Sequence, residues 1–85
     1  MEKTIIINCT PFSNPIVFIK MVGKDECIST TVSNKQLYSF IAEHMDHVSE
    51  IKIKGMKIYT KKIEKELREY LISTSRYNSV SITLI

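Results

Sequence analysis

The stretch KTIIINC, residues 3–9, decides the fold. Ile5, Ile6 and Ile7 follow one another, so a strand there presents apolar side chains on both faces of its pleat. That is the pattern of a strand inside a sheet rather than at its edge. Downstream, IVFIKMV (16–22) repeats it, with Ile16, Phe18 and Val22 on one side and Val17, Ile19 and Met21 on the other. ECISTTV (26–32) has the β-branched content of a third strand. Gly23, Lys24 and Asp25 supply the turn chemistry of a short hairpin, and the six-residue loop Thr10 to Pro15 joins the first two runs. The first three strands therefore form an antiparallel meander.

Beyond residue 33 the period changes. Leu37, Phe40, Ile41, Met45 and Val48 recur at three- and four-residue spacing and predict a helix over 34–46, with Ser33 and Gln36 as a capping box. EIKIK in 49–54 alternates as a half-buried strand, with Ile51 and Ile53 toward the helices and Lys52 and Lys54 away from them. A second helix over 60–72 places Ile63, Leu67, Tyr70 and Leu71 inward. Thr60 caps it, and Lys62–Glu66, Glu64–Arg68 and Lys65–Glu69 pair on its outer side. Residues 79–85 alternate as a last strand, with Ser79, Ser81 and Thr83 opposite the apolar side. Two successive strand–helix–strand crossovers advance in one direction, so the fourth strand docks beside the central first strand and the fifth beyond it. The expectation is an α+β domain of β-β-β-α-β-α-β order: one mixed five-stranded sheet, order 3-2-1-4-5, with two helices on one face.

This order of elements, together with EIKIKG, Tyr59 and the amphipathic helix between Glu50 and Leu71, resembles the ribonuclease H-like and actin-like superfamily. The resemblance implies a carboxylate-held metal pair, but the residues do not supply one. Ile6, Ile7 or Asn8 stands where an acid is expected on the first strand, and Lys54 or Gly55 at the end of the fourth. Glu43 alone beside a lysine cluster does not hold two divalent cations. The glycine-rich phosphate loops of actin-like proteins are not available to a chain with Gly23 and Gly55 as its glycines.

The composition agrees with one domain over residues 1–85. A chain of this length buries roughly 60–65% of its unfolded surface, and 44% hydrophobic with 25% charged residues is ordinary for a globular protein. No apolar run approaches a membrane span and the N-terminus has no secretory pattern, so the expected location is the cytoplasm. Cys9 and Cys27 lack metal or redox spacing and read as reduced structural thiols. His44 and His47 fit a solvated helix end better than a metal site. No cofactor, metal site or acyl-transfer elbow is expected, and the chain reads as a non-enzyme. Heavy use of isoleucine and lysine, with one alanine and two arginines, resembles the small accessory proteins of low-GC bacteria and their phages.

Two features point to binding. With both helices on one face, the other face of the first two strands is left uncovered yet apolar, an area of several hundred Å² that on a soluble protein marks an interface. We assign it to Ile6, Val17, Ile19 and Met21, although parity leaves open which alternate set faces outward. A second copy of the chain is the default occupant, with a further protein partner. The alternative is a nucleic-acid or nucleotide-phosphate binder using Lys52, Lys54, Lys57, Lys61 and Lys62, five lysines within eleven residues.

Overall fold

Two hairpins and two crossovers bring the seven elements together. In the computed structural model, which describes residues 2–10, 13–21, 23, 27–74 and 80–85, they are β1 (Lys3–Asn8), β2 (Ile16–Met21), β3 (Cys27–Thr31), α1 (Leu37–Glu43), β4 (Val48–Lys54), α2 (Lys57–Ser73) and β5 (Ser81–Leu84). They form a five-stranded sheet of order β3-β2-β1-β4-β5. The β1–β2 and β2–β3 pairs are antiparallel, and β1–β4 and β4–β5 are parallel. This is the expected topology, with β1 in the middle. The hairpin residues Lys24 and Asp25, together with Val22 and Ser79, lie outside the described residues; Gly23 has a positive φ of 85°, the conformation that glycine adopts without steric cost.

One core holds the sheet to both helices. Ile5 and Ile7 of β1, Val17 and Ile19 of β2, and Ile51 and Ile53 of β4 are buried with Leu37 and Ile41 of α1 and Leu67 and Leu71 of α2. Val32, Ala42, Met45 and Val80 complete it. Tyr38 joins the helices: its hydroxyl donates to the Glu66 carboxylate, and its ring lies 6.2 Å from that of Tyr70. Of the expected pairs along α2, Glu64–Arg68 forms at 3.2 Å, while Glu66 turns inward to Tyr38.

Both helix starts differ from expectation, each for a backbone reason. The segment Ser33–Gln36 closes on itself through the Gln36 N–H and the Ser33 carbonyl at 3.0 Å, so α1 begins at Leu37 with no side-chain cap. At α2, Gly55 and the extended Met56 redirect the chain, and the Met56 carbonyl accepts from Tyr59 and Thr60, each at 3.0 Å. The helix therefore begins a turn earlier, at Lys57. Thr60 is a buried helical residue whose hydroxyl returns to the Lys57 carbonyl at 3.3 Å.

Candidate interaction surface

The strand registers specify, residue by residue, the face turned away from the helices, which no described element covers. Directly paired residues on that face form rows across the sheet. The middle row reads Ser29, Phe18, Ile6, Lys52, Thr83 from β3 to β5. On one side of it lie Thr31, Ile16, Asn8 and Lys54, and on the other Cys27, Lys20, Thr4, Glu50 and Ser81. The apolar centre is thus the cross-strand pair Ile6–Phe18 with Ile16 beside it, all half-buried. Among the described strand residues of this face, Lys20, Lys52 and Lys54 surround it with a single acid, Glu50, whose carboxylate lies 3.7 Å from the Lys52 ammonium.

This corrects the assignment of the interface. Ile6 lies on the open face, but Val17 and Ile19 are 0% and 6% exposed in the core on the helix side. Met21 shares their parity and also points that way. The four residues do not share a face, because Ile6 is paired with Phe18 and not with a member of the odd set. Ile16, Phe18 and Lys20 are the β2 residues that face outward. The signal for them lies in the sequence: the even set of β2 contains Lys20 and the odd set is wholly apolar, so burying the odd set avoids the cost of burying an ammonium.

The five lysines lie around the end of β4 and the start of α2. Lys52 is half-buried on the face, whereas Lys54, Lys57, Lys61 and Lys62 are exposed. No acidic residue occupies the first turn of α2, where a carboxylate would complement the helix dipole. Here the chain passes very close to itself. Gly55 has φ 146°, and a β-carbon built on it would lie 2.8 Å from the Cys9 carbonyl oxygen. The Cys9 N–H in turn donates to the Lys54 carbonyl at 2.8 Å. Next to this crossing an open cleft of about 780 Å³ is lined by Cys9, Thr10, Asn14, Ile16, Asn34 and Tyr59 among others. Tyr59 is 40% exposed.

Burial pushes the Cys9 thiol above its ordinary value, away from the reactive thiolate. The histidines lie at the other end of the sheet: the His47 carbonyl accepts from Lys3 at the start of β1, a six-residue strand, roughly 20 Å long, away from Cys9. His44 is engaged by the Phe40 carbonyl at 2.9 Å. Among the described residues, no group of three or more His, Cys, Asp or Glu side chains comes together to hold a metal, and no helix is long and apolar enough to cross a membrane. The chain matches no family model, no curated protein and no solved structure.

Proposed function

We propose that this chain is a non-catalytic binding protein that works as a homodimer and docks an acidic partner protein on its open sheet face. The observation that carries this reading is the middle row, in which Ile6 and Phe18 form an apolar centre within a rim of Lys20, Lys52 and Lys54 against one Glu50. An apolar centre within a polar rim is the anatomy of a protein interface. The excess of lysine favours an acidic partner and opposes packing this face against its own copy. Isotope-labelled protein titrated with an amphipathic peptide of alternating Glu and Leu tests it. Amide shifts should centre on Ile6, Phe18 and Lys52 and vanish in Phe18→Asp; no shift on the face, or shifts unaffected by that variant, refutes it.

A second reading rests on the exposed Lys54, Lys57, Lys61 and Lys62 with no acid in the first turn of α2. Such a cluster favours a phosphate backbone, with Tyr59 as the aromatic nearby. In the same titration single-stranded oligothymidylate is the probe. Four phosphate contacts give a slope of about −3 in log affinity against log salt, and a flat salt dependence excludes this reading.

A further inference from the structure

The edge strand β3 carries a contact that the face does not. Val32 donates to the Pro15 carbonyl at 3.1 Å, which makes Val32 and Pro15 a hydrogen-bonded pair. Alternation along an antiparallel ladder then turns Thr30 and Ile28 toward β2. The N–H and C=O groups of Cys27, Ser29 and Thr31 are left pointing away from the sheet. Edge strands are ordinarily protected by lysine, proline or a bulge. From Cys27 to Val32 the sequence CISTTV has no charge, no proline and no glycine, and its pairing with β2 runs without a register shift. Ile28, in this strand, is 68% exposed although its partner Ile19 is in the core.

We propose that β3 is the homodimer contact, two copies pairing their β3 strands antiparallel about Ser29. In that register Ser29 meets Ser29 of the second copy, Cys27 meets Thr31, and Ile28 lies beside Thr30. The three outward residues of each strand then exchange six hydrogen bonds across the two-fold axis. The occupant is a second copy on three grounds. The strand is uncharged, so its antiparallel pairing with itself brings no like charges together, whereas the open face opposes three lysines to three lysines. The other edge strand, β5, has only four residues. The axis runs normal to the sheet, so both open faces lie on the same side and join across ten strands. One face measures roughly 20 by 20 Å from the strand and residue spacings, about half of the ~800 Å² per partner of a standard interface. Two joined faces reach it. The inference thus deepens the reading above by placing its homodimer contact, and its test is separate from the test of the face.

Sedimentation of the wild type from about 1 μM to about 1 mM should show a monomer–dimer equilibrium. Ser29→Lys sets two ammonium groups opposite each other while leaving the bonds to β2 intact; the variant should remain monomeric throughout with unchanged circular dichroism. In a Cys27→Ser background, Ser29→Cys should form a disulfide-linked dimer on mild oxidation, whereas Cys27→Ser alone and Cys27→Ser with Ser81→Cys should not. A wild type that is monomeric across the whole range overturns the proposal. So does a dimer that survives Ser29→Lys, and one that survives Ser29→Lys but is lost in Phe18→Asp belongs to the open face instead. Should Ser29→Lys fail to fold, the cysteine pair alone decides the matter, and absence of the crosslink refutes the β3 register.

Discussion

Replacing Gly55 by alanine tests the crossing of β1 and β4 ends directly. At φ 146° a residue with a side chain adopts a conformation essentially reserved for glycine, at a cost of about 1–3 kcal/mol. The added carbon would also lie 2.8 Å from the Cys9 carbonyl oxygen and 3.2 Å from the Cys9 β-carbon. That carbonyl belongs to backbone tied to Lys54 by a 2.8 Å hydrogen bond, so relief requires stretching the parallel ladder, a further ~1–3 kcal/mol. Reduced freedom of the unfolded chain returns about 0.4–1 kcal/mol. The net loss is about 3 kcal/mol, a large part of the roughly 4–13 kcal/mol expected for a chain of this length. Thermal unfolding should fall by about 12–24 °C. Gly23→Ala is the control: its φ of 85° is also positive, but nothing lies within 4 Å of the added carbon, so its loss stays at about 1 kcal/mol or less. Urea unfolding of both variants with unchanged m-values measures the difference. If Gly55→Ala loses no more stability than Gly23→Ala, the close approach to Cys9 is not what holds glycine at position 55.

Three further substitutions probe the two sides of the sheet and the junction of the helices. Val17→Asp buries a carboxylate at a fully buried core position and should abolish the cooperative transition, whereas Phe18→Asp, one residue away on the open face, should cost about 1 kcal/mol through the lost pairing with Ile6. Equal damage from both, by circular dichroism, would show the assigned parity of β2 to be wrong. Tyr38→Phe removes the hydroxyl that donates to Glu66 and should cost about 1 kcal/mol at neutral pH. Burial, and then the Glu66 carboxylate, hold the Tyr38 hydroxyl above its ordinary value of 10.0. Above that pH the unfolded chain releases its proton first, so the stability that Tyr38 contributes is present below about pH 10 and lost as the pH rises further. The phenylalanine variant should lack that part of the alkaline slope; identical slopes would refute the linkage.

The topology was legible because the element order and the doubly apolar TIII segment admit few arrangements. Lys52 and Lys54 alternate with Ile51 and Ile53, so β4 could be oriented from sequence. β1 was ambiguous, since both of its alternate sets, Lys3, Ile5, Ile7 and Thr4, Ile6, Asn8, mix polar with apolar residues. Its direction follows from pairing with Val17 and Ile19, which a single chain does not display. Lys20 was the one local clue on β2. The helix starts were misread for a different reason. A serine three residues before a glutamine does not cap when the turn between them closes on its own backbone, and a threonine does not cap when an extended Met56 starts the helix first. The unprotected edge of β3 was fully present in CISTTV, but its outward groups are defined only by the Val32–Pro15 bond.

The position of β1 between β2 and β4 also sets an order of events in time. The contacts of β1 with β2 and of β2 with β3 close short loops, whereas β1 meets its other neighbour across the gap from Lys3 to Val48. Loop-closure entropy makes such distant pairings form late. At ribosomal rates β4 emerges roughly 2–9 s after β1. Through that interval the isoleucine-rich flank of the meander is exposed, and the finished protein's innermost strand is, at birth, an open edge.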